Sequence, residues 1–269
     1  MSLIRTLVRR TGGITPPRLR RMLNLWPPLL ASGIRITHIA EDWSAGRLEL
    51  RMTPLNANMH GAAFGGTLFS MTDVLFGTLM MQRLGAEEFE AWTRTGSFEF
   101  IRPGRDGAAM TVEIPEEMVE RILADLEGGY STVVQCTSVI RNVDGTLVGI
   151  GQQDLYVRRR GGVKPPPNPN LLGRVRGENL SSAARTLARM GLREHPERLV
   201  EHERVARRCI SPEARAVAWL QGVPGEDADF RAAGLPEDVM AALREERPGP
   251  AAALLLEEVA AARASLAEE

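Results

Sequence analysis

Asn58-Met59-His60-Gly61-Ala62-Ala63-Phe64-Gly65-Gly66 runs into Thr67-Leu68-Phe69-Ser70-Met71-Thr72-Asp73-Val74-Leu75-Phe76-Gly77-Thr78-Leu79-Met80-Met81-Gln82. Residues 65 to 84 read as one helix with apolar residues around its whole circumference, so it is expected to be buried on most sides. A sheet wrapped around it would do that. Asp73 is the only charge between Gly65 and Gln82. A buried, unpaired carboxylate costs several kcal/mol, so Asp73 must be paired, protonated or turned to a polar cleft. It is either a structural residue bonded to a neighbour such as Thr72 or a catalytic carboxylate. The glycines at the helix entrance let a ligand approach bare backbone. The free N–H groups of a helix start favour negative charge, such as a carbonyl oxygen becoming an oxyanion. No Gly-Lys-Ser/Thr follows, so this is not a Walker phosphate loop.

The flanking sequence supplies the sheet. Ile34 to Ile39 and Arg47 to Thr53 alternate apolar with polar, with a turn expected at Ala45-Gly46. Phe98-Glu99-Phe100-Ile101 is strand-like and stops at Pro103-Gly104. Met110 to Ile114 follows Asp106-Gly107, and Pro115 to Leu126 reads as a surface helix. Thr132 to Ile140 and Leu147 to Val157 flank Asp144-Gly145, a hairpin signal. The expectation is an α+β fold of five or six largely antiparallel strands around one helix.

The Gly161-Gly162-Val163-Lys164-Pro165-Pro166-Pro167-Asn168-Pro169 run can be neither helix nor central strand. It divides the chain into a first domain at 1–160, a linker at 161–170 and an all-helical domain at 171–269. Helices are expected there at 178–191, 195–209, 212–220, 236–245 and 250–267, with Pro236 opening one of them and acids in its first turn.

Of the 269 residues, 33 are Lys or Arg and 34 are Asp or Glu, so no global basic field recruits nucleic acid or membrane. Lys164 is the only lysine. Cys136 and Cys209 offer neither metal-ligand spacing nor a disulfide framework, which suits a reducing cytoplasm. No run reaches the ~18 apolar residues of a membrane span, so no stable membrane insertion is expected. Arg5, Arg9, Arg10, Arg18, Arg20 and Arg21 precede the first acid, Glu41, without a signal-peptide core. They fit a surface helix or, alternatively, a targeting or membrane-touching segment.

Asn58, five residues, Phe64-Gly65-Gly66 and then Asp73 resemble the hotdog thioesterases of the phenylacetate-degradation (PaaI-like) type. Asn24-Leu25-Trp26-Pro27-Pro28, the Phe-Gly-Gly form and the stretch from Trp92 to Pro103-Gly104 look like an uncharacterised thioesterase-like branch of that superfamily. The resemblance spans about residues 20–158. It implies a hotdog fold and hydrolysis of an acyl-thioester such as acyl-CoA, with no cofactor and no metal. Gly65 N–H would polarise the carbonyl, and Asp73 would act as general base or nucleophile. Asn58 would orient water or carbonyl, and Thr93 would be a helper hydroxyl. His60, Gly61, Phe64 and Gly66 would line the substrate, and Arg94, Arg102 or Arg105 could meet CoA phosphates or remain solvated. The family's His before the glycines is Phe64 here, which favours the alternative of an acyl-thioester-binding or scaffold protein without turnover. Hotdog dehydratases are disfavoured, since neither their His-Phe-Pro segment nor their Asp/Asn-x-Asn-Pro-x-His stretch is present.

Eight residues of helix rise roughly 12 Å. Gly65 and Asp73 of one chain therefore cannot both reach one carbonyl, and a site using both requires at least a homodimer, with a homotetramer also open.

Residues 190–245 have a second resemblance, to HD-type metal-dependent phosphohydrolases, through His195-Pro196-Glu197-Arg198 and Ala218-Trp219-Leu220. Gln221 and Gly222 stand where that family's His-Asp dyad belongs. Glycine offers no side-chain ligand and glutamine a poor one, so the resemblance implies a degenerate module without metal. A phosphohydrolase working through this segment is the third functional reading.

Overall fold

A computed structural model describes residues 14–163, 171–244 and 248–267. Arg5, Arg9, Arg10 and most of the expected linker lie outside the described residues. The chain divides into two compact units, Met1–Lys164 and Pro165–Glu269.

The first unit opens with α1 (Pro16–Leu25) and α2 (Pro27–Ser32), each started by prolines whose missing N–H costs nothing at a helix start. Then come β1 (Ile34–Ile39), β2 (Ala45–Leu50), α3 (Gly65–Val74), α4 (Phe76–Leu84), β3 (Phe89–Phe100), β4 (Ala109–Glu113), α5 (Glu116–Gly128), β5 (Ser131–Arg141) and β6 (Leu147–Arg159). The strands form one six-stranded sheet in the order β1-β2-β4-β5-β6-β3, antiparallel throughout. The sheet wraps the α3–α4 segment, which is the hotdog arrangement. Its core holds Ile34, Ile36, Leu48, Met71, Leu75, Phe76, Leu79, Met80 and Leu155.

Several expectations change here. The single helix is two, broken at Leu75 (φ −103°, ψ −32°). It is also not buried all round: Gly66, Phe69, Ser70 and Asp73, spaced i, i+3, i+4 and i+7, form an exposed stripe, while Thr67, Leu68, Met71 and Thr72 are buried. Ala45-Gly46 is not a turn but the start of β2. Gly46 lies under the helix, where an added Cβ would sit 2.5 Å from Leu75 Cδ2, so the glycine serves close helix–sheet packing. The turn is instead at 42–44. There Asp42 Oδ1 accepts from Ser44 N (3.1 Å) and Ser44 Oγ (2.6 Å), and Trp43 takes φ +66°. Residues 51–53 leave the strand, with Arg51 N donating to Gly33 O (2.7 Å) and Met52 N to Asp106 Oδ1 (2.7 Å). β3 extends nine residues upstream of Phe98, far beyond the short strand expected.

The second unit is helical: α6 (Leu171–Gly191), α7 (Pro196–Arg208), α8 (Pro212–Leu220), α9 (Asp227–Ala232), α10 (Glu237–Leu243) and α11 (Pro250–Ala267). Its centre is α8, whose Ala214, Ala216, Val217, Trp219 and Leu220 are all buried. Ser211 caps α8 by accepting from Ala214 N (3.1 Å), and Glu258 of α11 accepts from Ser211 N and Oγ (both 2.9 Å).

Candidate active site

The sheet has two edges, and the candidate residues gather at one of them. Among the described residues β3 pairs with β6 alone, and its residues from Trp92 to Ser97 are exposed. The pairing register slips between Thr93 and Thr95. The resulting bulge turns Thr93 toward α3, where its hydroxyl donates to Asp73 Oδ1 at 2.5 Å. Thr95 Oγ1 goes the other way, to Asp154 Oδ2 at 2.7 Å. Asp73 is thus neither buried nor bonded to Thr72. It is an exposed carboxylate on the α3 stripe, held by a hydroxyl from the edge strand. The Thr72 hydroxyl instead donates to Phe69 O (2.7 Å) and accepts from Gln153 Nε2 (3.1 Å) inside the core.

At the start of α3, Phe64 is the cap residue and its carbonyl accepts from Thr67 N (2.9 Å) and Leu68 N (3.3 Å). Among the described residues nothing accepts from the N–H of Gly65 or Gly66, so two donors remain open at the positive end of the helix dipole. Two aromatic rings explain the glycines. A Cβ on Gly66 would meet the Phe64 ring at 2.5 Å, and one on Gly65 would meet the Phe100 ring at 3.1 Å. Phe64 is 58% exposed and Phe100 56%, so both rings border the helix start without closing it. Phe98 joins them edge-on to Phe100 (4.7 Å) and to Phe69 (6.5 Å).

Asn58 is used differently from the expectation. Its Oδ1 accepts from His60 N (2.9 Å) and Ala62 N (3.1 Å), and its Nδ2 donates to Ala63 O (3.3 Å). These bonds fold the 58–63 loop onto itself, so the side chain is spent on the backbone that leads into α3. His60 and Gly61 (φ +72°) stand at the exposed tip of that loop. Arg94, Arg102 and Arg105 are exposed. Asp73 and Thr93 come together; Gly65 and Gly66 lie two turns away along an unbroken α3.

Sequence reasoning missed the treatment of the other edge. Asn24, quoted only as part of a resemblance, donates from Nδ2 to Ile36 O (2.9 Å) and accepts from Ile36 N at Oδ1 (2.8 Å). Its amide satisfies β1 as a neighbouring strand would. Arg20 Nη1 adds a bond to Thr37 O (2.7 Å). An asparagine three residues before a Pro-Pro pair carries no periodic signal of such a role.

In the second unit, His195 is exposed and lies 3.4 Å from Glu197 Oε1, while His202 is buried, with Nδ1 2.9 Å from Trp219 O. Burial pushes the His202 pKa down, and Arg198 and Arg263 push it further. His202, Gln221 and Gly222 line one open groove of about 650 Å³. Among the described residues no group of three or more His, Cys, Asp or Glu is placed to hold a metal ion.

The family model for a domain of unknown function, DUF4442, matches residues 18–157. No curated protein matches the chain. Among solved structures, a protein of unknown function from Pseudomonas aeruginosa, PA5026, described as a probable thioesterase, is 16% identical. The match covers 54% of this chain and 97% of that one, with a TM-score of 0.49. Thioesterase HI1161 of Haemophilus influenzae is 13% identical over 57% of this chain and 96% of its own (TM-score 0.43). The PaaI protein of the E. coli phenylacetic acid degradation operon is 21% identical over 54% and 92% (TM-score 0.38). The family match stops at residue 157 and so does not reach the segment 190–245. More than half of the chain, from α1 to the end of β6, is accounted for by one family model, and the protein belongs to the DUF4442 family.

Proposed function

We propose that the first unit hydrolyses acyl-thioesters, acyl-CoA among them, as a homodimer whose copies pair through β3. The observation that carries this reading is the Thr93–Asp73 hydrogen bond of 2.5 Å on an exposed face beside an open strand edge. The bond holds one oxygen of an exposed carboxylate against the edge strand. Pairing of β3 with a second β3 would bring the α3 start of one copy toward the Asp73 of the other. This matters because roughly 12 Å of helix separates Gly65 from Asp73 within a chain.

In this arrangement Gly65 N–H accepts no reorganisation cost when the thioester oxygen becomes an oxyanion. Asp73 of the other copy takes a proton from water as the water oxygen bonds to the carbonyl carbon. The C–S bond then breaks, the electron pair leaves with sulfur, and the proton on Asp73 passes to the thiolate. Alternatively Asp73 attacks the carbonyl carbon as nucleophile, and the C–S bond breaks with its electron pair leaving on the thiolate. Water then cleaves the mixed anhydride, restoring the Asp73 carboxylate and releasing a carboxylic acid, while the other proton of that water passes to the thiolate. Asn58 shapes the loop that aims the α3 start. Phe64, Phe69 and Phe100 offer apolar surface for the acyl chain.

Phe64 favours a second reading. Its ring lies against Gly66, at the entrance to the two free N–H groups, where a polar side chain would otherwise help bind water. A protein that binds acyl-thioesters without turnover would fit. A panel of acyl-CoAs, assayed by release of free thiol, separates the two. Hydrolysis that falls 10²–10⁴-fold in Asp73→Asn supports the enzyme. Saturable binding with no thiol release establishes the binding protein. Turnover within about threefold of wild type in folded Asp73→Asn removes Asp73 from the mechanism.

A further inference from the structure

The first forty residues carry seven arginines and no acid. On α1, Arg18, Arg21 and Leu25 stand at i, i+3 and i+7, all exposed on one side, while Leu19 is buried on the other. The chain then turns through Trp26-Pro27-Pro28 into α2. Leu25 is 73% exposed, Trp26 41% and Leu30 59%, so three large apolar side chains within residues 25–30 are open to solvent.

The corner that presents them is braced. Trp26 N donates to Leu23 O (3.1 Å), and Trp26 O accepts from Leu29 N (3.1 Å) and Leu30 N (3.0 Å). Asn56 Nδ2 holds Ser32 O (2.8 Å), and Asn24 pins α1 to β1. The elements packed on the corner are α1, α2 and β1, and none of the three carries an acidic residue. The arginines therefore have no local counter-charge on the elements that hold them.

We propose that the α1–α2 corner docks on an anionic lipid surface. Leu25, Trp26 and Leu30 enter the headgroup boundary, and Arg18 and Arg21 face lipid phosphates. Charge complementarity selects this occupant. A second copy docking on the same patch would bring two positively charged surfaces without acids on α1, α2 or β1 together, since a two-fold interface uses the same patch on both copies. A lipid surface supplies apolar depth and negative charge at once, and tryptophan and arginine are the residues that such a boundary accommodates. The contact is peripheral: among the described residues no helix is long and apolar enough to cross a membrane. It does not depend on the thioester reading.

The full chain is sedimented with vesicles of phosphatidylcholine alone and of phosphatidylcholine with phosphatidylglycerol, roughly three to one. Binding to the anionic vesicles is expected at low salt, at least tenfold weaker on neutral vesicles or at about 0.5 M salt, where charge is screened. Arg18→Glu with Arg21→Glu removes the salt-sensitive binding. Leu25→Ser with Leu30→Ser weakens it at least fivefold, and exposed side chains leave thermal unfolding unchanged. Should either variant misfold, brominated lipid serves instead: it quenches wild-type emission and quenches Trp26→Phe much less. The proposal fails if anionic vesicles bring down no protein or if both folded double variants bind as wild type. It fails equally if brominated lipid quenches Trp26→Phe as strongly as wild type, or if the patch proves to hold two copies together in solution.

Discussion

The two edges of the sheet receive opposite treatment. At β1 the amide of Asn24 and the guanidinium of Arg20 occupy backbone groups of Ile36 and Thr37, so the ladder ends in side chains of the preceding helix. At β3 twelve residues run along an edge that, among the described residues, pairs only with β6, and apolar Phe69 and Phe100 stand exposed beside it. Unpaired strand edges are sites of association, and folds that avoid association cover them. One edge here is covered and the other is open. The contrast gives the sheet a direction of growth, and the open side is the one that carries Asp73 and Thr93.

The sharpest way to break the contrast is to charge the open edge. Phe69→Glu with Phe100→Glu should give a folded monomer by light scattering and lose at least ~10²-fold in thioester hydrolysis, because the proposed base no longer meets the proposed oxyanion donors and the acyl chain loses apolar surface. A monomer with full activity would end the shared-site geometry. Thr93→Val tests the orientation of the carboxylate. Hydrogen bonds to charged groups contribute about 1.5–3 kcal/mol, so hydrolysis should fall roughly 10- to 100-fold with the dimer intact. On the covered edge, Asn24→Ala leaves Ile36 N–H and C=O without their partner. It should cost about 1–3 kcal/mol in urea unfolding, with little effect on the rate per folded dimer. Arg20→Met removes one bond to a backbone carbonyl and should cost about 1 kcal/mol or less.

Much of the fold was legible in the sequence, and the two edges show where legibility stopped. β5 and β6 alternate around Asp144-Gly145 and were read within two residues of their observed ends. β3 was read only from Phe98. Trp92-Thr93-Arg94-Thr95-Gly96-Ser97 is polar, exposed and interrupted by a bulge, so the period of two that marks a half-buried strand is absent. The α3 face misled for the complementary reason. Phe69 is apolar yet exposed, and hydropathy cannot tell an exposed apolar surface from a core. That is why Asp73 was expected among buried groups and is found in solvent. Its spacing from Gly65 was readable because helix rise is fixed, whereas the Thr93 bond depends on a register slip between distant segments. In the second unit α9 was missed, since six residues starting Asp-Ala-Asp carry too little apolar periodicity to register.

The central claim, that each site takes Asp73 from one copy and Gly65 from the other, is tested most directly by subunit complementation. Gly65→Pro removes the N–H while suiting the first position of a helix, and Phe64 already has the extended backbone (ψ 130°) that precedes proline. The Phe100 ring must shift by a few tenths of an ångström to admit the new Cβ. Asp73→Asn and Gly65→Pro dimers should each be nearly inactive. When the two are dissociated and reassociated in equal amounts, half of the dimers are mixed, and each mixed dimer holds one intact site and one doubly altered site. The account predicts recovery of about a quarter of wild-type thioester hydrolysis. A mixture no more active than its two components, with mixed dimers shown to be present, would contradict it.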